Sequence, residues 1–137
     1  MGNLSGYAQG HSGQDLILDS AHELVDLLIN MGVNPHTSRA LICLHIHGPS
    51  SSPQLQDRCM MRQPDVSIAI RQLKEMEMVN VESITNGTRG RPSHVYSLAH
   101  PLNSCLVPFL NMAHERLEII QNQLTQVSDL TKVITMS

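Results

Sequence analysis

The sequence predicts a mainly α-helical domain with a small β-hairpin, an α+β fold class, followed by one long helix. Three observations support this prediction. Apolar residues at helical spacing and strong helix-start signals cover most of residues 15–76. A period of two residues then appears on both sides of a glycine-containing turn at 85–92. From Leu106 to Ile134, apolar residues recur at alternating steps of four and three.

The N-terminal region is predicted to be a disordered tail that leads into a helix. Residues 1–14 are rich in Gly, Ser, Gln and Asn and have little to bury. A helix is predicted from Asp15 to Met31, and Gly32 supplies the left-handed residue that commonly follows a helix end. Its apolar surface is wide, which predicts a helix covered on more than one side, with a second subunit as one candidate.

Two further helices are predicted from an N-cap residue that is followed by proline. These starts are Asn34–Pro35 and Ser52–Pro53, and the corresponding stops are Gly48–Pro49 and Cys59. The first helix is about twelve residues long by these signals, and the second has about two turns. The polar link at 50–52 is compatible with a stub of strand.

A third helix, over residues 64–76, has two chemically different sides. Its apolar side consists of Val66, Ala69, Ile70, Leu73 and Met76. Its other side carries Ser67, Ile68, Arg71 and Glu75, with Lys74 on the flank. In a DNA major groove, arginine binds guanine or phosphate, serine binds either, and an apolar side chain contacts the thymine methyl. The alternative is an ordinary amphipathic helix with a solvated face.

After this helix, the alternation indicates two strands joined by a basic turn. Val79–Ile84 and His94–Leu98 are the predicted strands, and residues 85–92 form the turn. A short helix, a longer helix and a hairpin with a basic tip together predict a winged helix-turn-helix.

The C-terminal region is predicted to be one helix with a heptad seam. Pro108 predicts that the helix begins there and not earlier. The seam residues are Leu106, Leu110, Ala113, Leu117, Ile120, Leu124, Val127, Thr131 and Ile134. A strict 3.5-residue repeat of this length favours a coiled-coil-like seam with another subunit, while packing on its own domain is the alternative.

Charge and composition limit the classes of partner. Aromatic residues make up 2% of the chain, which disfavours proteins that stack single-stranded nucleic acid on aromatic rings. The net charge is −3, but residues 58–91 carry six Lys and Arg against four Asp and Glu. The remainder carries three against eight. A locally basic surface on an acidic body fits binding through one face.

Cysteine, metal and catalytic patterns point away from several functions. Cys43, Cys59 and Cys105 are odd in number and widely spaced, which predicts reduced thiols in a cytoplasmic protein. Residues two apart on a helix point to different faces, so Cys43, His45 and His47 do not form a metal site. No phosphate loop, GxSxG or HExxH motif occurs, and no membrane span or signal peptide is recognisable. We therefore predict no enzyme, no metal and no cofactor.

Residues 52–98 resemble the winged-helix DNA-binding domains of ArsR- and MarR-like transcriptional regulators, and are most similar to small archaeal predicted regulators. The resemblance rests on Gln63-Pro64-Asp65-Val66-Ser67 with Ile70 and Leu73, and on Gly90-Arg91-Pro92 with Val95-Tyr96-Ser97-Leu98. It covers about a third of the chain. Two positions depart from the pattern. Glu77 stands where a glycine commonly ends the recognition helix, which predicts a different helix end. Asp65 stands where a small neutral residue is usual, where it is suited to cap the helix N-terminus but also brings an anion close to the DNA.

The resemblance implies a homodimeric, sequence-specific regulator that binds double-stranded DNA. The expected domains are a winged helix at 15–100 and a dimerisation helix at 101–137. The DNA-contacting residues would be Arg62, Gln63, Ser67, Ile68, Arg71, Lys74, Arg89, Gly90 and Arg91. The sequence leaves the target genes and any small-molecule effector open. The alternative is a winged helix that binds protein instead of DNA, which the acidic total charge and Ile68 also suit.

Overall fold

The structure is a computed structural model that describes the backbone of residues 13–85 and 93–137, and the side chains in these ranges from residue 18 onward. The elements in order are α1 (Gly13–Asn30), α2 (Pro35–His47), β1 (Ser50–Ser51), α3 (Ser52–Cys59), α4 (Gln63–Glu75), β2 (Val79–Ile84), β3 (Ser93–Leu98) and α5 (Leu102–Met136). The chain divides into two units, residues 1–102 and 103–137. The predicted mainly helical fold with a hairpin is confirmed.

Helix α1 ends in the left-handed turn that Gly32 predicts. Gly32 has φ 99°, and its amide donates to the Ile29 carbonyl at 2.9 Å. The Val33 amide donates to the Leu28 carbonyl at 3.0 Å, which completes a Schellman motif. Because the helix begins at Gly13, the predicted disordered tail at 1–14 is wrong for its last two residues, and its other residues lie outside the described part of the chain.

The starts of α2 and α3 follow the predicted caps to within one residue. The Asn34 side chain accepts the His36 amide at 2.8 Å and the Thr37 amide at 3.3 Å, with Pro35 in the first turn. The cap of α3 is Ser51 rather than the predicted Ser52, in a capping box with Gln54. The box satisfies both the cap and the third amide, so Ser51 is the better start.

The core of the first unit lies where α2, α3 and α4 pack together, with α1 against α2. The most completely buried apolar side chains are Leu28, Leu41, Leu44, Leu55, Val66 and Leu73. Four of the five apolar residues predicted for the inner side of α4 belong to this core. Val66, Ala69, Ile70 and Leu73 are buried, whereas Met76 is half-buried. This burial fixes which face of α4 points outward.

Helix α4 ends with a non-glycine residue in the left-handed region. Glu77 has φ 58°, and its amide donates to the Lys74 carbonyl at 3.0 Å. The Met78 amide donates to the Leu73 carbonyl at 2.9 Å, and both of these side chains are buried. This is a complete Schellman motif, so the prediction of a different helix end was wrong. Burial of the apolar side chains at the third-last helical position and after the turn is the usual companion of this motif, and it favours the motif even without glycine.

Three antiparallel strands form a sheet in the order β1-β3-β2. The hairpin register runs from Val79 opposite Leu98 to Ile84 opposite Ser93, which confirms the two predicted strands. On the other side of β3, Ser50 pairs with Tyr96. The short β1 therefore anchors the hairpin beside the start of α3.

Helix α5 begins at Leu102 and contains Pro108, so the prediction that the helix starts at Pro108 was wrong. Proline in the second turn removes one backbone donor, while the first turn has unpaired amides in any helix. Further along, Leu117, Leu124 and Ile134 are 52%, 64% and 73% exposed. The predicted seam is therefore an apolar surface in the single chain.

The cysteines differ from the prediction of three reduced thiols. Cys43 in α2 and Cys59 at the end of α3 form a disulfide, whereas Cys105 keeps its thiol and is buried. The prediction failed because a separation of sixteen residues in sequence gives no information on whether two helix positions meet in space. No helix in the described part of the chain has the length and hydropathy to cross a membrane.

Candidate nucleic-acid interface

The outward face of α4 is open. Ser67, Ile68 and Arg71 are exposed, with Ile68 at 41%, while their neighbours in sequence Val66 and Ala69 are almost fully buried. An exposed β-branched apolar residue has no packing role in a single chain. These are three of the four side chains that the sequence predicts at base edges, the fourth being Gln63, and they lie together on one accessible surface.

At the start of α4, the side-chain amide of Gln63 and the guanidinium of Arg62 extend this surface. Gln63 Nε2 donates to Ser67 Oγ at 3.1 Å, one helical turn further on. Arg62 is the N-cap residue and is exposed, although its side chain forms no cap hydrogen bond. Lys74 is exposed in the last turn. The two predicted phosphate-binding cations thus lie at opposite ends of the helix, about 18 Å apart along its axis at 1.5 Å per residue.

Two side-chain contacts on the inner side hold α4 against α2. The buried Thr37 hydroxyl donates a hydrogen bond to Gln72 Oε1. At the start of the helix, Asp65 Oδ1 lies 3.5 Å from His36 Nε2. Both contacts link the first turn of α2 to α4. A rigid support of this kind fixes the direction in which the outward face points.

The position of Asp65 changes how its charge acts. The sequence predicts that this anion supports the N-terminus of α4 and also lies close to DNA. The carboxylate is half-buried beside His36, within the first turn of α4, where it interacts favourably with the helix dipole. Asp65 is therefore a support for the helix start and not a member of the outward face.

A shallow groove of about 360 Å³ lies beside the outward face. Its polar lining comes from α3, α4 and β3 and consists of Ser52, Ser67, Arg71, Lys74, Glu75 and Tyr96. The sequence pattern did not indicate Ser52 or Tyr96 as residues of this groove. Tyr96 was treated only as part of the wing motif, and the pairing of β1 with β3 that brings both residues to α4 could not be read from the chain. Three hydroxyls and two cations, against the one carboxylate of Glu75 in this lining, form a surface suited to phosphate oxygens.

The two strands of the wing belong to the described part of the chain. Strands β2 and β3 pair over six residues each, and Ser83 Oγ lies 3.5 Å from His94 Nδ1 near the open end. The predicted wing contacts Arg89, Gly90 and Arg91 lie outside the described residues. The paired strands therefore lead into and out of the tip, and the roles of the tip residues stay predictions.

One cation of the basic segment is engaged elsewhere. Arg58 Nη1 donates to Ser50 Oγ at 2.7 Å, and Ser50 Oγ in turn donates to the Gly48 carbonyl at 2.9 Å. Because Ser50 is fully buried, this bond ties the end of α3 to β1. The outward face and its groove then carry Arg71 and Lys74 against Glu75, a net charge of +1.

Comparisons with known proteins address the fold. No protein-family model matches the chain, and no curated protein matches it. Among solved structures, the transcriptional regulator PA4135 is 16% identical, with a TM-score of 0.50 over 91% of this chain and 96% of that one. TrmBL2, an archaeal chromatin protein, is 19% identical, with a TM-score of 0.53 over 80% of this chain and 40% of that one.

The chain has a winged-helix fold. NMB1585, a MarR family regulator from Neisseria meningitidis, aligns over 89% of each chain at 14% identity with a TM-score of 0.48. In this fold α3 and α4 form the helix-turn-helix, and β2 and β3 form the wing. Helix α4 is the second helix of the helix-turn-helix, directly before the wing.

Metal-ligand geometry is missing from the described residues, where no three His, Cys, Asp or Glu side chains lie close enough to hold an ion. Cys43, which the sequence places near His45 and His47, is in the disulfide with Cys59. His45 and His47 are exposed in the last turn of α2. The disulfide therefore uses the one thiol that lies near these imidazoles in sequence.

Proposed function

We propose that this protein is a sequence-specific regulator that binds double-stranded DNA as a homodimer, with α4 in the major groove. The observation that carries the proposal is the exposed face of α4, on which Ser67, Ile68 and Arg71 lie above a buried apolar side. In a groove, Arg71 is suited to guanine, Ser67 to any base and Ile68 to a thymine methyl. Gln63 would also reach base edges from the first turn.

Phosphate contacts would position the helix. Arg62 and Lys74 suit phosphates at the two ends of α4, and the groove adds the Ser52 and Tyr96 hydroxyls. Arg89 and Arg91, with Gly90 between them, would carry the wing into the adjacent minor groove, where a narrow groove attracts arginine. These contacts give affinity without sequence preference, whereas the outward face of α4 gives specificity.

The dimer would form through the heptad seam of α5. The seam consists of Leu106, Leu110, Ala113, Leu117, Ile120, Leu124 and Val127, continued by Thr131 and Ile134. Most of these side chains are exposed in the single chain, and a surface this apolar and this long is costly in water. Pairing of two such helices would bury the seam and relate the two recognition helices by twofold symmetry. Two recognition helices would then enter successive major grooves about 34 Å apart.

The resemblance to ArsR-type and archaeal regulators contributes to this proposal only through its sequence motifs. Those motifs are Gln63–Ser67 on the recognition helix and Gly90–Pro92 on the wing. Their spacing matches a DNA-binding winged helix, which is the reason for choosing DNA over a protein partner.

The test is fluorescence anisotropy with a labelled random-sequence duplex at about 50 mM and about 200 mM salt. Counted over both subunits of the dimer, four phosphate-binding cations per subunit predict a slope of about −7 for the logarithm of the binding constant against the logarithm of the salt concentration. The affinity should therefore fall on the order of 10⁴-fold between these two salt concentrations. The control variant is Lys132→Ala, which removes an exposed charge from α5 and should leave the affinity for the duplex unchanged. Binding that is absent even at the lower salt would refute DNA binding and favour the protein-binding alternative.

A further inference from the structure

The Cys43–Cys59 disulfide joins two elements at a point where the chain changes direction. Cys43 lies in α2 and is 8% exposed, and Cys59 is the last residue of α3. The next residue, Met60, is left-handed with φ 52° and is 91% exposed. The disulfide therefore fixes the end of the first helix of the helix-turn-helix to the helix behind it, directly before the turn into α4.

A cavity of about 670 Å³ opens beside this bond, with both cysteines in its wall. Side chains from α1 and α2 supply an apolar lining that includes Val25, Ile42 and Ile46. The volume lies within the range of small-molecule sites, so a small organic thiol fits inside. The disulfide is thus reachable from solvent although Cys43 itself is buried.

The charges around the cavity are unequal. Among the side chains that the structure describes, Arg39 and Arg58 line it against the carboxylate of Asp26, and two histidines, His22 and His47, complete the polar wall. The bond from Arg58 Nη1 to Ser50 Oγ holds this guanidinium in place. A cleft of this charge concentrates small anions over neutral molecules of equal size.

We propose that Cys43–Cys59 is a reversible thiol–disulfide exchange site, and that the cavity admits a small anionic thiol as its reductant. A thiolate attacks one sulfur, the S–S bond breaks, and a mixed disulfide and one protein thiolate result. A second thiolate then attacks the mixed disulfide and releases the second protein thiolate. In total, two molecules of the small thiol lose two electrons and two protons and form one disulfide. The protein gains these two electrons and two protons, and its disulfide becomes two Cys thiols.

Opening the bond releases the end of α3 from α2. The Met61 amide, which donates to the Gln56 carbonyl at 3.1 Å, belongs to the turn that would loosen. Helix α4 keeps its own link to α2 through Thr37 and Gln72, so the change concerns the turn and the angle between the two helices. Any effect on DNA affinity rests on the proposed function, whereas the exchange reaction does not.

The test uses the full wild-type chain, air-oxidised, and two thiols of similar size: 2-mercaptoethanesulfonate, which is anionic, and 2-mercaptoethanol, which is neutral. Reduction is followed by alkylation and peptide mass mapping of Cys43 and Cys59, with Cys105 as an internal reference. At equal thiolate concentration the anionic thiol should react about tenfold faster, and this advantage should vanish at high salt. Arg39→Gln should lower the rate with the anionic thiol alone, and Arg58→Gln should act in the same direction.

Three results would overturn the proposal: full alkylation of Cys43 and Cys59 before any reductant is added, a disulfide that neither thiol reduces without denaturant, or equal rates with both thiols. Anisotropy with a random duplex on the oxidised and reduced protein separates the two proposals. Absence of DNA binding in both states counts against the DNA-binding function. The exchange rates then still test whether Cys43–Cys59 is a thiol–disulfide exchange site.

Discussion

Replacing Glu77 by glycine is expected to stabilise the protein, because Glu77 holds a backbone conformation that glycine adopts without cost. Its φ of 58° lies in the left-handed region, and its amide and that of Met78 both pair with carbonyls of the last turn of α4. The Glu77 side chain is exposed, so its removal loses no buried contact. The substitution tests whether the Schellman motif forms in solution with a non-glycine residue at its left-handed position.

The expected gain follows from two opposing terms. A side chain in the left-handed region costs about 1–2 kcal/mol, which glycine removes. Glycine increases the conformational entropy of the unfolded chain, which costs about 0.4–1 kcal/mol. The difference is a stabilisation of about 0.5–1 kcal/mol, equivalent to a rise of about 3 °C in Tm for a protein of this size.

The assay is thermal and urea unfolding followed by circular dichroism, with all variants at one protein concentration because dimerisation makes Tm concentration-dependent. Glu75→Gly is the matched control. It removes the same charge two residues earlier, at the last helical position of α4, and should destabilise by about 0.5–1 kcal/mol. If Glu77→Gly lowers stability as Glu75→Gly does, Glu77 is not left-handed in solution and the description of this helix end is wrong.

Four further predictions concern the interface, the seam and the disulfide. Arg71→Ala should weaken binding to a selected operator by about 1–3 kcal/mol in anisotropy, and equal losses on unrelated duplexes would remove Arg71 from base reading. Arg91→Ala should weaken binding to all sequences and make the salt slope shallower by about 1 per subunit, so a sequence-selective loss would contradict its role in the wing. Leu124→Glu, at a seam position 64% exposed in the single chain, should shift the protein to monomer in analytical ultracentrifugation, whereas an unchanged mass would exclude this seam. Replacing Cys43 and Cys59 together by serine should lower the free energy of unfolding by about 3 kcal/mol in urea, since the bond closes a loop across a separation of 16 residues, and an unchanged midpoint would mean that the bond does not form.

Local chemistry allowed much of the fold to be predicted. Asn34 with Pro35 starts α2, Gly32 ends α1, and the alternation around Val79 and Tyr96 gives the hairpin, because each signal depends only on nearby backbone groups. The periodicity of α4 likewise gave its buried and outward faces. These features depend on contacts within a few residues, or on a simple division between apolar and polar faces.

The misses share a different cause, since each depends on residues that are distant in sequence or on a balance of local terms. The Cys43–Cys59 bond requires knowledge of how α2 and α3 cross. The contact of Asp65 with His36 depends on the same packing, so this partner of Asp65 could not be predicted from the sequence. At Pro108, the general rule that proline ends or begins a helix did not hold, because the helix continues through this residue and lacks one backbone hydrogen bond there.

The candidate interface divides in the same way. Ser67, Ile68 and Arg71 could be assigned from helical spacing alone, whereas Ser52 and Tyr96 join them only because β1 pairs with β3. A hydroxyl that faces a groove from another strand leaves no periodic pattern around the recognition helix. Such residues are found only once the sheet order is known.

The central claim is that the outward face of α4 selects a DNA sequence. The most direct measurement is the selection of genomic fragments by the purified protein, in parallel with a variant that carries Ser67→Ala, Ile68→Ala and Arg71→Ala. The account predicts that the wild type enriches a near-palindromic site with half-sites one helical turn apart, about 10 base pairs, and that the variant loses this enrichment while retaining non-specific binding. Recovery of the same site by both proteins, or of no common site by the wild type, would contradict it.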